Sequence, residues 1–501
     1  MTSALAPPLA RRTFAAAALV VALVSTRASA QPADAGVDAA ADPVDAGAPT
    51  GGDAVVHIPA LEPTATLPRA NEASGVEIPE PPTTGERLRW IPRAIFFIPR
   101  WTFWLVAQPL RLTAWTYEKT QAQLRGALFS VDQVYGIYPV ANYSTDYGFS
   151  VGARFVHRNT FGRKERLRLS ADWGGEFRQG YAMRISSGER FGKRVSATLG
   201  LRYQRRPGER FFGIGNEDET TLPEMPIDPQ TSDDAIGSRF REDITRAVGS
   251  VDTLLVGDLK LRVTGAWAKR EFGDAVVGPS IAERYDTSRL IGFANGVNNV
   301  YVEAELIYDS RRPTSRYISQ VMDATGWYAS VFAGRATGVG DDTTDFMRYG
   351  GEVQRLIDLY QGSRVLTLRA SLDGVAGTDG RTDGKISFID LPRLGGADFL
   401  RGYPRDRFRD KGVSLLTAEY AWDLGNYFGG YAFVDLGRAF NDFDDVAELR
   451  SYHMGFGGGI EMRTHRSFLF RAQLAASRSG DVFFELALSP AFGRRERAGR
   501  Y

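Results

Sequence analysis

The chain has 501 residues, 61 Lys and Arg against 60 Asp and Glu, and no cysteine. That balance gives no sign of nucleic acid as a partner, and without cysteine neither a disulfide scaffold nor thiolate chemistry is available. Past residue 30 no segment has the ~20 uninterrupted apolar residues of a spanning helix, so only alternating strands could supply a membrane wall.

Residues 1–30 read as a secretory signal peptide: Arg11 and Arg12, an apolar run from Phe14 to Val24, then Ala28-Ser29-Ala30 before Gln31. Residues 31–85 are built from Ala, Asp, Pro, Gly and Thr, too poor in large apolar side chains to offset chain entropy, which predicts a disordered linker. Residues 86–130 change character, with Trp90, Phe96, Phe97, Trp101, Phe103 and Trp104 among Arg89, Arg93, Arg100 and Arg111. Pro92, Pro99 and Pro109 rule out one continuous helix. This amphipathic segment fits a membrane interface or a pore mouth; a helix packed on a soluble core is the alternative.

From Val131 onward the pattern has period two, which sends alternate side chains to opposite faces of a strand. In residues 193–205, Val195, Ala197, Leu199, Leu201 and Tyr203 share one face; Arg194, Ser196, Thr198, Arg202 and Gln204 share the other. Sixteen such runs are predicted, at 132–141, 146–157, 165–175, 180–188, 193–205, 239–252, 257–271, 299–310, 326–337, 346–358, 363–376, 412–424, 427–440, 451–463, 468–477 and 481–492. The longest connections, 206–238, 272–298 and 377–411, are the fifth, seventh and eleventh, so all three leave the strands at the same end. An even strand number with long loops at one end predicts an all-β fold, a 16-stranded antiparallel transmembrane β-barrel over 131–492, with 493–501 as a tail. A soluble sandwich could satisfy the same alternation. Charge recurring on one face as Glu303, Glu305, Glu352, Arg369, Asp373, Glu419, Asp435, Arg471 and Glu485, opposite bulky apolar residues, favours the barrel.

Within the eleventh connection lies Leu391–Tyr403, LPRLGGADFLRGY, too Gly-rich for a strand and too apolar for a tail. Here the chain resembles the outer-membrane assembly-factor superfamily that includes BamA, TamA and FhaC, the bacterial surface antigen proteins. Gly395-Gly396 followed by Leu400-Arg401-Gly402-Tyr403 matches that family's sixth-loop signature. Glu419 and the run Phe433-Val434-Asp435-Leu436-Gly437 match its following strands. Asn159-Thr160-Phe161-Gly162, Tyr308-Asp309-Ser310-Arg311 and Phe212-Gly213-Ile214-Gly215-Asn216 are weaker likenesses.

The resemblance implies that the sixth extracellular loop folds inward and that Arg401 pairs with Glu419 and Asp435. The polar face puts these two carboxylates on adjacent strands, where they repel unless a cation's planar fork serves both. The family's periplasmic receiving (POTRA) domains find little room in residues 31–130, which points to a branch lacking them. The function implied is insertion or translocation of a protein or lipid client at the bacterial outer membrane. The alternative is a plugged channel or structural barrel without that activity. Outer-membrane lipids are the expected partners, and no oligomeric state can be read.

Proline is confined to strand edges, starts and bulges. Among the predicted runs it occurs in the first, as Pro139, and the last, as Pro490, which predicts a weakly paired seam there. His57, His157, His453 and His465 show no ligand spacing, so no metal or other cofactor is expected, and no nucleophile or acid–base constellation points to an enzyme. The acidic run Asp341-Asp342-Thr343-Thr344-Asp345 reads as a solvated loop more readily than as a calcium site.

Overall fold

The computed structural model describes Gln108 and residues 128–487, except 145–147, 176–177, 221–223, 231–234, 315–321, 379–385, 426 and 465–467. The predicted signal peptide, linker, most of the amphipathic segment, Pro490 and the tail lie outside the described residues.

Sixteen strands pair in chain order into one antiparallel sheet. They are β1 (Tyr135–Ser144), β2 (Gly148–His157), β3 (Arg166–Gly174), β4 (Gln179–Ser186), β5 (Val195–Phe211), β6 (Ser238–Val256), β7 (Leu259–Asp274) and β8 (Val297–Asp309). Then follow β9 (Gly326–Gly338), β10 (Asp345–Asp358), β11 (Arg364–Gly377), β14 (Gly412–Asp423), β15 (Phe428–Phe440), β16 (His453–Arg463), β17 (Phe468–Ser477) and β18 (Val482–Ala487). Two short strands, β12 (Arg393–Leu394) and β13 (Phe408–Arg409), form a separate ladder inside the connection between β11 and β14. Alternation decides the faces. On β8, Val300, Val302 and Leu306 are exposed while Tyr301, Glu303 and Glu305 are buried. One face is apolar and outward; the other is polar and covered.

The expected closed transmembrane β-barrel is not formed. β1 pairs with β2 and β18 with β17, and no ladder joins β1 to β18 among the described residues. Phe129 bridges Gly136 at the start of β1; no such bridge covers the rest of that edge among the described residues. One feature opposes closure: Pro139 in the middle of β1 has no N–H to give a ladder. The expected roles fall with the closed wall, because an inserting or translocating barrel and a plugged channel or structural barrel both require it. Proline is also not special to the edges, since Pro207 lies inside β5 where the register shifts between Arg206 and Glu209. A bulge leaves a residue unpaired, which is where a residue without an N–H fits.

β5 extends to Phe211, past the predicted end at 205, because the added residues pack under the connections instead of facing solvent. Phe211, Phe240 and Val297 from three strand ends and Ile227, Ile281, Tyr285, Leu290 and Phe388 from three connections form one buried cluster. Phe388 meets Phe240 at 5.4 Å and Phe272 at 4.9 Å between ring centroids. The long connections thus build an apolar cap at one end of the sheet.

Candidate functional site

The connection between β11 and β14 does not stand off the sheet; it lies across the polar face. The Asp390 carboxylate accepts from Arg270 on β7 at 3.0 Å and from Asn299 on β8 at 3.3 Å. Arg348 on β10 donates to the Asp390 carbonyl at 3.1 Å, and Arg369 on β11 to the Asp398 carbonyl at 3.3 Å. Gln473 on β17 reaches the Ala397 carbonyl at 3.4 Å. One loop touching strands from β7 to β17 requires the sheet to curl around it.

Arg401 is the centre of this contact. Its Nε and Nη2 donate to the two Asp435 oxygens at 2.7 and 2.9 Å, and Nη1 donates to Glu419 at 2.5 Å. Its backbone N–H adds a bond to Asp435 at 3.0 Å, and its guanidinium lies 3.5 Å from the centroid of Phe433. The ladder sets Glu419 opposite Phe433 and Thr417 opposite Asp435, so the two carboxylates are diagonal neighbours on one face. All three charged groups are buried, at 4, 7 and 1 % exposure. Such a cluster is favourable only when each lone pair and proton is used, and the bidentate fork uses them. Arg471 on β17 lies 3.6 Å from Glu419 and donates to the Tyr431 hydroxyl at 3.0 Å, extending the network to a third strand.

The backbone that presents Arg401 is bent. Leu400, fully buried, holds φ +66, and Gly402 follows at φ +92 with Ala476 O only 2.5 Å from where a Cβ would stand. No other residue type fits Gly402 without displacing β17. Gly395 and Gly396 turn the chain at φ +115 and +93, and Gly395 donates to the Phe399 carbonyl at 2.6 Å. Tyr403 is buried against Phe408, ring centroids 5.2 Å apart, with its hydroxyl 3.4 Å from Met454 O. Pro139 is an exposed residue in β1, paired with Ala153 and remote in the sheet order from this site.

Sequence reasoning left three anchors unassigned. Asp390 precedes the glycine-rich stretch and carries no motif, and Phe388 is one phenylalanine among 30. Asn216 had a signal, the Phe212–Asn216 run, but no role. Its side chain accepts from Ala439 N at 2.8 Å and donates to Ser451 O at 2.9 Å, and its carbonyl lies 2.6 Å from His453 Nε2. Gly215 and Arg409 exchange backbone bonds at 2.6 and 3.3 Å, fastening β13 to the same run. Among the described residues no group of His, Cys, Asp or Glu is placed to hold a metal ion. The carboxylates of the Arg401 cluster are spent on arginine, which makes it a fastening and not a reaction centre.

No family model and no curated protein matches the sequence. Solved structures do match in fold. BamA from Haemophilus ducreyi lacking POTRA domains 1–3 is 11% identical with a TM-score of 0.50, covering 70% of this chain and 69% of that one. CdiB from Escherichia coli is 11% identical with a TM-score of 0.44, over 70% and 62%, and CdiB from Acinetobacter baumannii 10% with 0.40, over 70% and 58%. At such identity the first likeness is one of fold.

Proposed function

We propose that this is a bacterial outer-membrane protein whose apolar sheet face lies on lipid and whose free edge at β1 receives an extended polypeptide strand. The observation that carries the reading is β1 itself, ten residues laddered to β2 on one side and, past the Phe129 bridge, to no described strand on the other. An unpaired edge cannot face hydrocarbon, because each unsatisfied N–H and C=O costs several kcal/mol there. Strand addition satisfies such an edge with main-chain bonds, and alternate side chains then give selectivity. The fold likeness to BamA supports the membrane placement, as do the predicted signal peptide and the outward row of Val, Leu, Trp and Tyr. The finer placement, in a branch without periplasmic receiving domains, rests on the length and composition of residues 31–130. The role is one of binding and holding; among the described residues no set on the polar face calls for catalysis.

The test uses the absence of native cysteine. Cysteines replacing Ile137 and Phe484, both outward and exposed, are introduced into the full chain in cells. The chain is expected in the outer-membrane fraction, with no intramolecular disulfide after oxidation. A disulfide formed in most chains would show the edges paired to each other and remove the strand-binding reading.

A further inference from the structure

Arg401 holds the two Asp435 oxygens with Nε and Nη2, the paired N–H groups on one side of its guanidinium. Arg409 on β13 turns the same fork toward no acceptor. It is 1 % exposed, and its Nη1 donates to the Phe388 carbonyl at 2.9 Å. The guanidinium carbon lies 5.3 Å from the Phe211 ring centroid and 5.6 Å from that of Phe388, and both rings are buried. Its Nε and Nη2 are buried as well and meet no hydrogen-bond acceptor among the described residues. A buried donor left in this way is costly, and more so when it carries charge.

The ladder compounds the problem. Arg393 on β12 stands directly opposite Arg409, so the two side chains leave one face and repel. Arg393 Nε is also buried without an acceptor among the described residues. The carboxylates whose charge acts on Arg409 are Asp406, Glu209 and Glu242, and each serves another arginine. Asp406 accepts from Arg393 Nη1 at 2.8 Å and Glu242 from Arg206 at 3.1 Å, while Glu209 lies 3.6 Å from Arg206 and 3.9 Å from Arg405. Burial first, and the like charge of Arg393 second, push the Arg409 guanidinium down to about 9.

We propose that Arg409, with Arg393 opposite it, binds a chloride ion buried where β13 meets the apolar cap. A single halide accepts from both N–H groups of one fork, and a charged acceptor makes such bonds strong. A tetrahedral oxyanion suits the place less well. The donors that want an acceptor are three, Arg409 Nε and Nη2 and Arg393 Nε, so its remaining oxygen lone pairs would be buried unserved. The ion answers two like charges at once. It thereby fastens β12 to β13 and, through the Phe388 carbonyl, both to the cap.

The test reads thermal unfolding of the purified full-length chain in dodecylmaltoside, titrated with sodium chloride while sodium gluconate keeps the ionic strength, and so the screening, constant. Chloride is expected to raise Tm saturably, as a ligand bound by the folded chain alone does. Sodium phosphate at the same ionic strength is not. Arg409→Met, which keeps a long side chain without its charge, is expected to abolish the chloride response. In crystals of the parent chain grown in sodium bromide, an anomalous peak is expected within hydrogen-bond reach of Arg409 Nε and Nη2, a measurement that stands even if the variant does not fold. A Tm indifferent to chloride, an equal rise with phosphate, a folded variant that keeps the response, or no bromide peak at the fork overturns the proposal. Neither lipid nor an added strand enters the test, so its failure leaves the function proposed above to be judged by its own cysteine experiment.

Discussion

The polar face from β7 to β17 and the polar face from β2 to β5 follow the same alternation, yet they are held by different means. The first is filled by the chain's own loop, with Arg270, Arg348, Arg369 and Arg401 each answered by a carboxylate or a backbone carbonyl. The second carries five arginines to one aspartate on the stretch from β2 through residue 204 of β5. The difference teaches that alternation assigns a residue to a face but does not say what will cover it. Where the loop between β11 and β14 folds back, opposite charges are placed to receive it.

The largest expected effect breaks the filled half. Arg401→Ala leaves Glu419 and Asp435 buried and uncompensated, and loss of one partner from a buried ion cluster costs about 3–5 kcal/mol. Denaturant unfolding should show that loss, and limited proteolysis should open the chain between residues 386 and 411. An unchanged midpoint would mean that the cluster holds nothing. A smaller effect is expected where the loop backbone meets the sheet. A Cβ on Gly455 would overlap the Arg401 carbonyl oxygen, so Gly455→Ala should cost about 1–3 kcal/mol through displaced packing. Faster cleavage within the loop, with the strand content by circular dichroism retained, is the expected readout.

The smallest effect lies on the other half, in the turn joining β2 to β3. Burial pushes the Glu165 carboxyl up, but backbone N–H groups led by that of Arg163, and the Arg190 guanidinium, outweigh it and hold the group at about 2. The Arg163 and Phe161 N–H groups donate at 2.8 and 3.2 Å, and Arg190 Nε at 2.9 Å. A carboxyl held below its ordinary 4.5 contributes stability that is fully present above that pH and is lost as pH falls through about 2. A Glu165→Gln variant should therefore lack this part of the acid sensitivity in a Tm series from pH 4.5 downward. A variant with the same acid profile as the parent would show that the turn's bonds do not require the charge.

Much of the strand pattern was legible because the period-two signal is strong where one face is apolar. Predicted runs such as 346–358 and 412–424 coincide within a residue with Asp345–Asp358 and Gly412–Asp423. β5 runs past its predicted end at 205 through Pro207, which a bulge in the ladder accommodates. Openness of the sheet was not legible at all: alternation is the same in an open and a closed wall, and only the pairing of the two terminal strands separates them. At the loop, Glu419 and Asp435 stood out through the family resemblance, and two carboxylates on adjacent strands calling for a cation supported it. Asp390, Phe388 and Asn216 did not, because what they do depends on partners from 21 to 237 residues away and no local spacing encodes such a distance.

The ties made by Asn216 carry a consequence in time. Its carbonyl meets His453 across 237 residues of chain, and its side chain meets Ala439 and Ser451 across 223 and 235. Contacts of such long range come late, after chain closure has been achieved by shorter ones. The Arg401 to Asp435 contact spans only 34 residues and can settle once β14 and β15 have paired. Asn216 must wait for β16. Its bonds are therefore a record that the β5–β6 connection has reached β15 and β16, and a variant lacking the side-chain bonds, Asn216→Ala, should refold its sheet at the normal rate and delay only the final docking of the cap.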